Sequence, residues 1–498
     1  MGQFSIIANH QVIRSASIPV LPYADFMRQN SSLPLEERYH CVSYFACPED
    51  GCLRLICCIA DDREGNIMIS SCRVDPAAAP LPSFTAVHES FHLFEREIHE
   101  NCGIEYADHP WLKPVRFGGI HAGMPLSEYP FFSVEGDALH EVGVGPVHAG
   151  VIEPGYFRFA CNGEKILHLE IQLGYQHRGV EQLMIEKKRL NQRIQLAENI
   201  AGDSTVAHCS AFASLWEALC DYQTPDPLLW TRTLALELER MAMHTADLSA
   251  LCEDIAYRLG SAVYGRLRTP IVNFFQAWTG NRLARTLIRP AHLFYPFTET
   301  LAMQLTRILH DFERDFTQMG NFLFNMPGVL SRFEKTGTVS YETALRIGAV
   351  GMAARASGVK RDIRASHPDQ TYRTPEHIPQ LYSTGDVFAR AKIRHDETLR
   401  SVGHIRKLLR NLPPPEEIEH EPAPAAPDTF ALSLVEGWRG EICHCALTDA
   451  RGEPKAYKIT DPSFHNWMAL ALAVRNNEIS DFPICNKSFN LSYCGFDL

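Results

Sequence analysis

The stretch 228–251, LLWTRTLALELERMAMHTADLSAL, decides how this chain is read. Its apolar residues recur at helical spacing, and no proline or glycine interrupts it after Pro227, so it predicts one long helix over Leu228–Leu251. Leu301 to Phe324 behaves in the same way. The helical pattern holds from about Val180 to Leu409, which predicts a bundle around a buried central helix.

Outward from this block the pattern changes. Residues 1–118 read as a small α+β unit. Arg54 to Ile59 and Asn66 to Val74 are rich in Leu, Ile, Val and Cys, and the polar turn Asp61–Gly65 between them signals a hairpin. A helix is expected over about Ser83 to Asn101. Residues 119–142, rich in Gly and Pro, read as a connector. A strand pair is expected between Gly155 and Ile171, turning at Asn162-Gly163. On the far side, 411–428 (NLPPPEEIEHEPAPAAPD) holds six prolines and no helical period, so it reads as an exposed, extended connector. Residues 429–498 return to strands at Gly440–Leu447 and Pro454–Ile459, then a short helix at His465–Arg475 and a polar-aromatic tail. The fold class is therefore α+β: a small N-terminal α+β domain (1–118) and a mainly helical domain (143–410) with peripheral strands, completed by 429–498.

The 498 residues carry a net charge of −12, which disfavours nucleic acid as a partner. No apolar run approaches the roughly 20 residues that span a bilayer, and no secretory signal is visible. Fifteen cysteines are present, but none stand as C-x-x-C. They are expected to be buried, reduced thiols.

Several segments carry a resemblance. Phe94-Glu95-Arg96-Glu97-Ile98-His99-Glu100-Asn101-Cys102-Gly103-Ile104, followed by His109-Pro110-Trp111-Leu112, resembles the signature of the small C component of complex I, with Cys102 in place of the family's phenylalanine. Gly145-Pro146-Val147-His148, Glu153-Pro154-Gly155-Tyr156 and Gly174-Tyr175-Gln176-His177-Arg178-Gly179-Val180-Glu181 resemble the start of the D component of complex I and of the membrane-bound (group 4) [NiFe]-hydrogenase large subunits. Glu239-Arg240-Met241-Ala242-Met243-His244, Gly351–Gly358, Glu436-Gly437-Trp438-Arg439-Gly440-Glu441 and Asp461–Trp467 resemble later motifs of the same proteins. The fused C-then-D order is similar to the large subunit of formate hydrogenlyase and hydrogenase-4 type complexes.

A nickel–iron centre needs four thiolates, which that family supplies as two cysteine pairs. On the resemblance, Ala201 and Ser204 stand at the front pair, with Gly202 and His208 kept, and Ser492 and Gly495 stand at the rear pair, with Cys494 one position off. The sequence also ends three residues beyond Gly495, where hydrogenases carry a cleaved extension. The expectation is a chain that binds no metal and no cofactor of its own.

In complex I the former metal cavity serves quinone. The resemblance therefore implies catalytic roles for Glu153, His208 and Arg439, and a quinone cavity drawing on His148, Ser204, Ser492 and Tyr493. Each has a plainer reading. Glu153 could be a solvated turn residue, Arg439 could pair with Glu436 or Glu441, and His208 could be a satisfied core histidine. His148 lacks the surrounding residues of the complex I loop. Glu239, Arg240 and His244 do not share one face and read as a buried structural network. The tail Phe489–Tyr493 is expected to hydrogen-bond to the Ala201–His208 turn.

The implied function is an oxidoreductase subunit of NADH-quinone oxidoreductase type, peripheral on the cytoplasmic side of the inner (plasma) membrane. Its expected partners are an Fe–S small subunit like the B component of complex I, a ferredoxin-like Fe–S subunit and membrane-arm subunits. NAD would bind elsewhere, since no G-x-G-x-x-G follows a strand here. Two alternatives stand beside it: a [NiFe] hydrogenase large subunit, and a non-catalytic scaffold coupling an Fe–S subunit to the membrane arm.

Overall fold

The computed structural model describes residues 3–498 apart from 78, 137, 151 and 374–376. The N-terminal part contains β1 (Ser5–Ala8), β2 (Ile13–Arg14), α1 (Tyr23–Ser32), β3 (Tyr39–Glu49), β4 (Cys52–Asp61) and β5 (Asn66–Val74). β1, β5, β4 and β3 form an antiparallel sheet in that order. The expected hairpin is β4–β5, closed by the Asp61–Asn66 pair. Asp61 Oδ1 accepts the N–H groups of Arg63 and Glu64, which locks the turn. Strand β3 was not anticipated. Its His40 and Ser43 break the apolar pattern, yet both are buried.

Helix α2 (His92–Cys102) starts at His92, not at Ser83. Ser83 Oγ, Phe84 N–H and Thr85 N–H all donate to the Glu95 carboxylate, so residues 83–85 wrap the helix instead of extending it. Gly103, in the left-handed region, ends it. The connector 119–142 begins as two short helical turns but ends inside a strand, β6 (Leu139–Val144). β6 pairs with β7 (Tyr156–Asn162), and β7 with β8 (Lys165–Gln172), turning at Asn162-Gly163 as read.

The helical block holds α3 (Val180–Glu186), α4 (Leu190–Glu198), α5 (Thr205–Leu219), α6 (Asp226–Asp254), α7 (Arg258–Thr279) and α8 (Glu299–Leu323). α9 (Gly351–Ala356) and α10 (Val387–Leu408) follow, with shorter turns between. α6 is the central helix, buried from Trp230 to Thr245 and packed against α5, α7 and α10.

After the largely exposed 411–428 come β9 (Thr429–Glu436), β10 (Glu441–Thr448) and β11 (Pro454–Thr460). The polar-aromatic tail after the expected short helix is itself helical, so that three helices close the chain: α11 (Pro462–Ala473), α12 (Phe482–Phe489) and α13 (Tyr493–Asp497). Asp461 and Ser492 cap α11 and α13 by accepting the N–H groups of Ser463 and Gly495. The last sheet runs β11-β10-β9-β2, so the N-terminal β2 completes it. Ile56, Cys58 and Ile69 of the first sheet share one core with Leu432, Cys443 and Cys445 of the last. The chain is thus a mixed α+β molecule whose two ends pack together. Among the described residues no helix is long and apolar enough to cross a membrane.

Candidate functional site at the junction of turn and tail

Helix α6 organises the junction. Its Glu239 carboxylate accepts the N–H groups of Val206 (2.7 Å) and Ala207 (3.3 Å) at the start of α5. These N–H groups have no partner within the helix, and Ser204, the capping residue, gives no side-chain bond. Burial pushes Glu239 up to about 8, against the pull of the two N–H donors. The next residue, Arg240, donates to the carbonyls of Glu436 (2.8 Å) and Gly437 (2.9 Å). Two neighbouring residues of α6 therefore hold the front turn and the Arg439 loop together.

Two further contacts tighten that loop. Arg355 of α9 donates to Glu436 (2.8 Å) and to Glu397 (2.7 Å), which also meets His244 (3.0 Å). Gly351 and Gly440 touch backbone to backbone, since a Cβ at Gly351 would lie 2.2 Å from Gly440 Cα. Four of the sequence motifs thus converge in space. Glu239, Arg240 and His244 are the buried network that the sequence suggested.

Arg439 sits at the convergence. Its guanidinium binds both oxygens of Asp203 (2.7 and 2.6 Å), Ser204 Oγ (3.3 Å) and the Asn490 carbonyl (2.6 Å). Burial opposes the charge, but Asp203 outweighs it and holds the group protonated. The partner is Asp203, not Glu436 or Glu441, because those carboxylates turn to Arg355 and His40. The tail does reach the turn through this guanidinium, and Arg178 makes a second bridge beside it, from the Ile200 carbonyl (3.1 Å) to the Cys494 carbonyl (2.7 Å). Ser492 Oγ instead accepts the N–H of Gly495 within the tail, and Tyr493 packs on Trp467.

A second bridge lies deeper. His208 Nε2 meets Asp461 Oδ2 (3.1 Å), and Asp461 is so close to Gly495 that a Cβ there would fall 2.7 Å from the same oxygen. His208 Nδ1 meets His444 Nε2 (3.2 Å), and His444 Nδ1 meets the Tyr457 hydroxyl (2.8 Å). The acceptor-only carboxylate orients the row. His208 donates to Asp461, His444 donates to His208, and Tyr457 donates to His444. Burial works to raise Asp461, but the His208 bond outweighs it and the carboxyl lies below its ordinary range. Burial, with His208 nearby, holds His444 well below the ordinary histidine value.

The other expected residues form the near side of the tail. His148 Nε2 bonds to the Gly155 carbonyl (2.9 Å), and Gly155 abuts the Tyr493 ring. Glu153 is half-buried and near enough to the Cys494 thiol to act on it electrostatically. Burial and, secondarily, this carboxylate push Cys494 up to about 12. Ala201, Ser204, His208, Ser492 and Arg439 are all buried. Sequence reading missed Asp203 and Asp461 as site residues although both lay in quoted motifs. It also missed His444, whose signal was hidden between Cys443 and Cys445.

Residues 20–129 match the family model described as Respiratory-chain NADH dehydrogenase, 30 Kd subunit, and residues 260–429 match that of the 49 Kd subunit. Formate hydrogenlyase subunit 5 of Escherichia coli is 27% identical over 73% of this chain, an alignment that spans 64% of that relative's length. The carbon monoxide-induced hydrogenase of Rhodospirillum rubrum is 27% identical over 71% of this chain and 98% of the relative. The C/D subunit of the NADH-quinone oxidoreductase of Phocaeicola vulgatus is 26% identical over 79% of this chain and 82% of the relative. The chain therefore carries, fused in one polypeptide, a domain of the 30 Kd subunit family and a domain of the 49 Kd subunit family of respiratory-chain NADH dehydrogenase, and it is related to hydrogenase large subunits.

Proposed function

We propose that this chain is a peripheral-arm subunit of a membrane-associated oxidoreductase, docked on the cytoplasmic side against an Fe–S partner subunit and the membrane arm. The turn–tail junction with that partner forms a redox site for quinone or another small acceptor, without nickel or iron. One observation carries this reading. The positions expected to hold metal ligands are Ala201, Ser204, Ser492 and Gly495, and the buried guanidinium of Arg439 bridges their two segments, reaching Asp203 and Ser204 on one and the Asn490 carbonyl on the other.

Reduction of a quinone takes two electrons and two protons. The electrons come from the partner's Fe–S clusters. Arg439, its charge shared with Asp203, offers its remaining donor capacity where negative charge develops on the acceptor oxygen. Glu153, half-buried beside Tyr493 and Cys494, is placed to pass protons inward from the surface. His148 and Tyr493 border the same side of the tail, and His208 orients Asp461 behind it.

Two measurements test the proposal. Elemental analysis of the purified chain is expected to find no stoichiometric nickel, and close to one nickel per chain would favour the hydrogenase reading instead. Arg439→Ala is expected to lower acceptor turnover of the intact complex by at least about tenfold, the loss of roughly 1.4 kcal/mol of transition-state stabilisation. Full turnover in that variant would leave only the scaffold role.

A further inference from the structure

A cavity of about 300 Å³ lies between α2, residues 111–132, β8 and α11. Aromatic side chains, among them Trp111, Tyr129, Trp467 and Phe496, line it together with aliphatic ones. The cavity also exposes a cation. Arg96, 9% exposed, lines it from α2. Its Nε donates to the Lys113 carbonyl (2.8 Å) and its Nη2 to the Pro114 carbonyl (2.6 Å). These neutral acceptors orient the guanidinium without cancelling its charge.

Among the described residues no carboxylate pairs with Arg96. The acidic residues of its own helix are engaged elsewhere. Glu95 holds Ser83, Phe84 and Thr85, Glu97 binds Arg116 and Lys458, and Glu100 accepts the N–H groups of Val115, Arg116 and Phe117. Glu170, in the wall, is taken by Lys113. The positive field reaches the neighbours. Burial first, and the charge of Arg96 second, hold His92 well below its ordinary value and His109 down at about 4. A second cation, Arg475, stands exposed at the rim and bonds there to His168 Nδ1 (3.3 Å), again without a carboxylate among the described residues.

A buried, unpaired guanidinium is costly unless an anion offsets it. The volume is at the small end for ligand pockets, too small for a diacyl lipid but adequate for two fused rings. We propose that this cavity binds a planar aromatic anion, its carboxylate or sulfonate drawn by Arg96 within and Arg475 at the rim, and its ring lying against the tryptophan and phenylalanine walls. The site stands independently of the redox reading. It shares a wall with the tail, since Trp467 packs on Tyr493 with ring centroids 4.9 Å apart.

The test uses the intact chain and 2-naphthalenesulfonate, followed by its own fluorescence, as the probe, with 2-naphthoate and uncharged 2-naphthol as competitors. Saturable binding of one probe per chain is expected, displaced by 2-naphthoate at least about tenfold more effectively than by 2-naphthol. Ala471→Phe fills the cavity and should abolish binding. Arg475→Glu, on the surface, should weaken it about tenfold or more while leaving the far-ultraviolet circular dichroism unchanged. Non-saturable binding, equal displacement by naphthol, or undiminished binding in the Ala471→Phe chain would overturn the proposal.

Discussion

Glu239 and His40 show how single buried groups set the stability of this molecule. Replacing Glu239 by Ala strands the N–H groups of Val206 and Ala207. A loss of about 3 kcal/mol is expected, and less for Gln, which can still accept one bond; urea unfolding midpoints measure both. His40 lies between Asp62 (3.1 Å) and Glu441 (2.7 Å). Burial opposes its charge, yet the two carboxylates prevail and push it up to about 9. Its folded value is raised above the ordinary 6.5, so its stabilisation is complete below pH 6.5 and is lost as pH rises through about 9. Glu239, raised to about 8, acts with the same sign. Melting temperature should therefore fall between pH 6.5 and 9, and His40→Gln should flatten that slope. Residue types told part of this beforehand: Glu239, Arg240 and His244 were read as a buried network. Their partners, which lie far off in the chain, were not readable.

Elements meet in this fold through backbone as well as side chains. The start of α9 and the Arg439 loop approach so closely that neither Gly351 nor Gly440 tolerates a Cβ. Gly351 also has φ +62, where an L-residue is strained. Gly351→Ala is expected to destabilise by about 2 kcal/mol or more and to displace Arg439 from Asp203, detectable as a lower melting temperature with loss of near-ultraviolet dichroism from Trp438. Long helices were the easiest elements to read, because α6 and α8 carry many turns of consistent apolar spacing. Strand β3 and the tail helices α12 and α13 were not. β3 buries polar His40 and Ser43, and the tail helices are too short to show a period.

At the scale of the molecule, the N- and C-terminal parts act as one body. β2 completes the last sheet, Lys458 of β11 binds Glu97 of α2 (2.6 Å) and Glu181 of α3 (2.9 Å), and Arg116 donates to the Phe496 carbonyl (2.8 Å). Limited proteolysis is expected to cut within 411–428, where the backbone is largely exposed, or within 119–142. After a cut in 411–428, the 429–498 fragment should co-elute with the rest under native conditions. Its release, or cuts inside α6, would contradict this arrangement.

By itself the sequence determined the α+β class, the helical block around α6, the hairpin turns and the identity of the motifs that meet at the junction. Those features are local: they depend on apolar spacing, on turn residues and on short runs of recognisable residues. The tertiary structure alone decided that Arg439 pairs with Asp203, that His208 heads a row ending at Tyr457, and that Arg96 lines a cavity on carbonyl partners, with no carboxylate beside it among the described residues. Such outcomes depend on which of several competing carboxylates, all of the right chemistry, comes within hydrogen-bond reach once distant segments pack, and the distances that decide it are set by the whole core.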